Sequence, residues 1–256
     1  MAYDKVFHIV CEGNTDLEVL RVVATAVGKA NHEKYKVNPL FPPTPKANAG
    51  WPNLKNWCLQ QASTLAGNLQ AQAALAAQLL GAKSAPGAMI RKRDYITAAL
   101  DLKENGARSA IVIQIDADIA HDLLSDIGLG LDMHVMPLCP SERVRICEQA
   151  LDKWLGRHVS KKGLQIFYCI TSLALENWIL TLHAPNVLNI ANGGNYDDIH
   201  FPDKILTNLG YASNKEGLKK DPPKYKVYGE KIVSGLNVSR GRSRSLDRYC
   251  SILTSV

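Results

Sequence analysis

The sequence predicts an α/β fold: a mostly parallel sheet flanked by helices, with a helical insertion and a mixed C-terminal segment. Two observations carry this. Three short apolar runs, 6–11 (VFHIVC), 110–116 (AIVIQID) and 164–170 (LQIFYCI), have the length and β-branched content of buried strands. Stretches with helical spacing of apolar residues lie between them, and strands alternating with helices imply crossover connections and hence parallel pairing. At 256 residues, 46% hydrophobic and 21% charged, the chain can bury one sizeable core. One domain over 1–256 is expected, carrying a helical insertion at 53–90 and a basic, loop-rich C-terminal part at 191–256.

Taken in order, the first strand ends at Glu12-Gly13-Asn14, where Gly13 suits a tight turn. Thr15 and Glu18 have capping-box spacing, and Leu17, Leu20, Val23 and Val27 continue a helix. Residues 37–41 suit a strand that Pro39 confines to a sheet edge. The Ala/Gln/Leu-rich stretch 54–80, interrupted at Gly67-Asn68, reads as a helical hairpin, followed by a loop at 85–87 and a helix over 94–105. A further strand is expected over 133–138. Val144, Cys147, Leu151 and Trp154 mark a helix over 141–155 with Ser141 as its N-cap. After the third strong strand, 173–183 forms a helix stopped by Pro185. From 191 to 225 the chain is polar and loop-like, with one helix over 203–209.

Thirty Lys and Arg against 24 Asp and Glu give a net charge of +6, a mild bias toward polyanionic partners. The excess concentrates between Lys215 and Arg248, which makes Lys219, Lys220, Lys224, Arg240, Arg242 and Arg244 candidate phosphate contacts. Six dispersed cysteines with no C-x-x-C pair suggest neither a zinc site nor a disulfide framework and fit a reducing, cytoplasmic setting. No run approaches the roughly 18 apolar residues of a membrane helix. His8 and the four tryptophans, Trp51, Trp57, Trp154 and Trp178, are expected in the core or at contacts.

The chemistry-bearing residues are acids at strand ends. Asp116 and Asp118 stand two apart, where strand geometry puts both side chains on one side. Glu12 ends another strand, and Asp16 lies in the first turn of the helix that follows. In parallel sheets, ligands bind beyond the carboxyl ends of strands. Clustered carboxylates repel one another unless a hard cation such as Mg²⁺ or Mn²⁺ takes their oxygens as ligands.

VCEGNTD over 10–16, followed by IQIDAD over 113–118, resembles the Toprim pattern of topoisomerases, primases and OLD-type nucleases. The acid of LENWIL, Glu176, is similar to the acidic helix motif of OLD-type and related bacterial Toprim-like proteins. Residues 225–232 (YKVYGEKI) and 246–249 (LDRY) are similar to that subgroup's C-terminal pattern. The resemblance covers most of 5–20, 110–122, 173–183 and 222–250. It departs where a third acid of a D-x-D-x-D pattern gives way to Ala120, which argues against a topoisomerase.

The resemblance implies a Toprim-like fold and a Mg²⁺- or Mn²⁺-dependent nuclease acting on DNA or RNA. Glu12, Asp116 and Asp118 would do the metal or general-base work. Glu12, Asp16, Asp116, Asp118 and Glu176 are the implied ligands, Lys226 the catalytic cation and Asp122 a secondary acid. It further implies a role in bacterial defence against phage or plasmids beside a separate ATPase, since the sequence has no phosphate-binding loop of its own. Oligomeric state stays open. A rival reading is a non-catalytic Toprim-like module that binds an ATPase partner. A second rival, a phosphotransferase or glycosyltransferase using the D-x-D, lacks a Gly-rich phosphate loop.

Overall fold

A computed structural model of the chain describes residues 2–43, 50–79, 96, 106–129, 137–156, 165–191, 193–215 and 217–256. Four strands, β1 (Lys5–Val10), β2 (Tyr35–Phe41), β3 (Arg108–Asp116) and β4 (Ile166–Thr171), form one all-parallel sheet in the order β2-β1-β3-β4. As Pro39 requires, β2 is an edge strand, and a register shift opposite Ile9 and Val10 accommodates it.

Helices cover both faces. Along β3, Ala110 and Val112 point to one core, while Ile111, Ile113 and Ile115 point to the other. This two-sided burial explains the unbroken apolar run, as parallel strands require. The first core is closed by α1 (Asn14–Ala30) and three C-terminal helices, α6 (Pro222–Ser234), α7 (Leu236–Arg242) and α8 (Arg244–Ser255). Its largest fully buried side chains include Trp178, Tyr196, Tyr225 and Tyr249. Trp178 stacks on Tyr249 at 5.8 Å and donates its indole N–H to Ser245 Oγ at 2.7 Å. The second core is closed by α2 (Trp51–Leu79) and α3 (Pro140–Leu155) through Leu54, Trp57, Leu151 and Trp154. His8 is buried, and so are Trp57, Trp154 and Trp178.

Several expectations are corrected. Residues 51–79 form one continuous helix, not a hairpin: a single Gly67 in an Ala-rich stretch costs only about 1 kcal/mol, too little to break it. Its first half packs into the second core through Leu54, Trp57, Cys58 and Leu65. The capping box at Thr15 does not form, because Gly13 is the N-cap of α1 and Glu18 instead accepts from Arg21 at 2.7 Å. Cys139, not Ser141, caps α3. The helix expected over 173–183 is the short α4 (Glu176–Leu180). The C-terminal part is mostly helical from 222 onward. Before it come α5 (Pro202–Asn208) and a hairpin of β5 (Ser213–Asn214) and β6 (Gly217–Leu218). The helix expected at 94–105, except for residue 96, lies outside the described residues. So do the loop at 85–87 and most of the strand expected at 133–138. No helix among the described residues is long and apolar enough to cross a membrane.

The strand order positions the site. From β1 the chain moves outward to β2, then crosses back to place β3 on the other side of β1. The carboxyl ends of β1 and β3 therefore flank the point where the winding reverses, where such sheets leave a crevice.

Candidate functional site

Glu12 and Asp116 meet at this crevice: a Glu12 carboxylate oxygen accepts the backbone N–H of Asp116 at 2.8 Å, tying the end of β1 to the end of β3. Gly13 is extended, so its role is space and not backbone freedom. A Cβ there would stand 3.2 Å from Asp16 Oδ2. That room lets Asp16, buried in the first turn of α1, lie close to Glu12.

Asp116 is fixed by its neighbours. Its Oδ1 accepts from Thr171 Oγ1 at 2.7 Å and from Gln114 Nε2 at 2.8 Å. Thr171 is its register partner on β4. Asp118 does not continue the strand, as the two-residue spacing suggested. It sits in a 3-10 turn over 117–121, held by its N–H donating to Leu173 O at 3.0 Å. Both acids nonetheless line one depression of about 530 Å³ with Glu176, Arg143 and Lys220. A second hollow of about 390 Å³, lined by Glu12, Asp16, Asp116 and Lys220, adjoins it through the two shared residues.

Glu176, only 2% exposed, accepts from Lys220 Nζ and from Tyr225 OH, the latter at 2.5 Å. Lys220 follows the β5–β6 hairpin, anchored by buried Leu218 before it and by Pro222 at the start of α6 after it. Burial works against ionisation of Glu176, but the Lys220 ammonium and the Tyr225 hydroxyl outweigh it and hold the carboxyl below its usual range. Lys220 is raised in turn: Glu176 overcomes the opposing effect of burial.

The other acids are pushed the opposite way. Burial, with repulsion from Asp16 and Asp118, raises Glu12 to about 8 against the stabilising Asp116 N–H. Burial and Glu176 raise Asp16 to about 7. Asp116 is driven well up by burial and then by Glu12, Asp16 and Glu176. Partial burial and Glu176 raise Asp118. The group is short of positive charge, and its acids titrate as a set.

No family model, curated protein or solved structure matches the chain. The site therefore rests on its own chemistry.

Of the residues singled out in the sequence, the fold brings Glu12, Asp16, Asp116, Asp118 and Glu176 together, and with them Lys220, one of the candidate phosphate contacts. It does not bring Lys226, which is exposed and lines a separate groove between α1 and α6 with Glu18 and Arg21. Tyr225 and Gly229 take the inner face of α6, so the next residue after Tyr225 must point away; Lys220 supplies the cation instead. Asp122 ends the 3-10 turn, exposed. Among the candidate phosphate contacts, Arg240 pairs with Asp247 at 2.7 Å. Arg242 donates to Thr181 O and His183 O and lies over the Tyr196 ring. Both are committed within the fold. Lys219 and Arg244 are exposed and Lys224 is half-buried. Sequence reasoning missed Gln114, Thr171, Arg143 and the role of Tyr225. Only the register of β3 against β4 reveals Thr171.

Among the described residues, no three His, Cys, Asp or Glu side chains converge as a preassembled metal cage. The donors nonetheless suit a hard divalent cation. They are all carboxylate oxygens and electrostatically overcrowded, and Mg²⁺ is usually held by one or two carboxylates with water and substrate phosphate completing its shell.

Proposed function

We propose that the chain is a Mg²⁺- or Mn²⁺-dependent nuclease of Toprim type that hydrolyses phosphodiester bonds of DNA or RNA. The observation that carries this reading is the cluster of acids at the sheet's reversal point, with Glu12, Asp16 and Asp116 pushed up by burial and mutual repulsion. Such a group gains most from a bound cation. Glu12, Asp116 and Asp118 would hold the ion, which when bound supplies charge neutralisation and an activated water for attack on phosphorus.

The chain's own residues do the rest. Gln114 and Thr171 fix the orientation of Asp116. Lys220, in both hollows, offsets charge on a phosphate that reaches the acids, while Glu176, which also accepts from Tyr225 OH, holds its ammonium in place. A role in anti-phage or anti-plasmid defence beside a separate ATPase belongs to this reading through the Toprim resemblance alone.

The test is cleavage of supercoiled plasmid and of tRNA-rich RNA with Mg²⁺ or Mn²⁺ by the native chain, Asp116→Ala and Glu12→Ala. Metal-dependent cleavage lost in both variants is the expected result, and undiminished cleavage by Asp116→Ala refutes it. The second reading, a non-catalytic binding module, is favoured by the ready-made Lys220–Glu176 ion pair, which neutralises part of the site without metal. It predicts a native chain that cleaves neither substrate.

A further inference from the structure

Phe201 is anomalous. It is 64% exposed, yet its backbone lies in the left-handed region at φ 54°, ψ 51°, and it precedes Pro202. A bulky residue rarely adopts that conformation, and a following proline disfavours helical geometry further. The strain is not offset by burial of the ring. The surroundings enforce it: Asn177, next to Glu176 on α4, donates to Tyr196 O at 2.8 Å and to Ile199 O at 2.9 Å, fixing the loop that leads to Phe201. The side chain that anchors this loop is thus adjacent in the chain to the acid that anchors Lys220.

Phe201 lines the same 530 Å³ depression as Asp116 and Asp118. Exposed His200 stands beside it at 6.2 Å between ring centroids, and Lys204 Nζ lies 4.6 Å from its centroid. Arg143 and Lys220 line the same space. An aromatic ring flanked by a second ring and by cations, beside a space of small-ligand size, has the parts of a stacking platform for a nucleobase with its phosphates.

We propose that Phe201 is the platform on which an unpaired base stacks next to the phosphate presented to the acids, so that the substrate is single-stranded or locally unpaired nucleic acid. This rests on the nuclease reading for the fate of the phosphate but not for binding. A paired base is already stacked in its duplex and cannot also cover the ring. Strain in the Phe201 backbone is then the conformational cost of displaying its ring.

The experiment is anisotropy of labelled 12-nucleotide DNA and RNA strands and of their duplexes, in EDTA, so that binding is read without cleavage. Wild type is compared with Phe201→Ala, Phe201→Trp and Phe201→Gly. Loss of the ring weakens single-strand binding about tenfold, in keeping with the stacking of one base, and changes duplex binding less than about twofold. Phe201→Trp retains wild-type binding. Phe201→Gly binds like Phe201→Ala but melts a few degrees higher than wild type, because glycine relieves the left-handed strain. Unchanged single-strand binding by Phe201→Ala, equal losses for strand and duplex, or no strand binding by wild type would each overturn the proposal. The DNA and RNA arms separate the two sources of an unpaired base. A chain that binds strands through Phe201 yet cleaves nothing with Mg²⁺ or Mn²⁺ upholds the platform and refutes the nuclease.

Discussion

Replacing Glu12 with Gln removes one ionisable carboxyl while keeping the side-chain oxygen that accepts the Asp116 N–H. Without metal, this substitution stabilises the fold. The carboxyl of Glu12 titrates at about 8 in the folded chain against an ordinary 4.5, so between these values the folded chain holds a proton that the unfolded chain has released. Stability therefore falls as pH rises from about 4.5 to about 8 and is level beyond. At pH 7 the full difference is about 3 kcal/mol, and water reaching the half-buried group reduces it to about 1–2 kcal/mol. For a chain of this size that corresponds to roughly 2–8 °C in Tm. The assay is thermal unfolding in EDTA at pH 5, 7 and 8.5. The gap between Glu12→Gln and wild type should open with pH, while metal-dependent cleavage is lost. A variant that melts below wild type at pH 8.5, or a gap that does not change with pH, refutes the claim that the acids are held against their own repulsion.

Lys220→Met should abolish cleavage while Lys226→Met stays within about twofold of wild type in the plasmid and RNA assay. The same change strips Glu176 of its partner and costs about 1–2 kcal/mol at pH 7 after allowance for the half-exposed ammonium. Because Glu176 is held below its usual value, that loss should shrink as pH falls below about 4.5. Gly229→Ala would put a Cβ 3.2 Å from Val22 Cβ and 3.4 Å from Val19 Cα, forcing α6 off α1. Chemical denaturation should register a loss of about 1–3 kcal/mol. Gly67→Ala, with open space around the site, should stabilise the continuous α2 by about 0.5–1 kcal/mol in the same assay.

What was legible follows from the range of the interactions involved. The parallel sheet could be read because two-sided burial leaves unbroken apolar runs such as 110–116, and the edge position of β2 could be read from Pro39. Helix boundaries were less accessible. By local propensity Gly67 reads as a break, but the packing of Leu54, Trp57 and Leu65 holds the first half of α2 in place. Thr15 looked like a cap, but burial of Asp16 and the pairing of Glu18 with Arg21 draw the first turn of α1 toward other partners.

In the site, Glu12 and Asp116 are legible because each stands at the carboxyl end of a strand, and Asp16 because it opens the helix that follows, whereas Glu176 comes from the resemblance alone and Lys220 reads only as one basic residue among several. Lys226 lies in a motif-like run, but helical spacing in that run already argues against it: Tyr225, Gly229 and Ile232 are buried at positions i, i+4 and i+7, which turns Lys226 outward. Lys220 carries no periodic signal. Its position depends on a two-stranded hairpin, on Leu218 reaching the core and on Pro222 starting α6, and only their combination delivers an ammonium to Glu176. A buried carboxylate must find partners, and Glu176 finds two, the Lys220 ammonium and the Tyr225 hydroxyl, with Lys220 Nζ also lying over the Tyr225 ring at 5.6 Å from its centroid. A site read from strand ends alone thus finds the acidic half, and its cationic half emerges only from the long-range packing of the C-terminal helices onto α1 and α4.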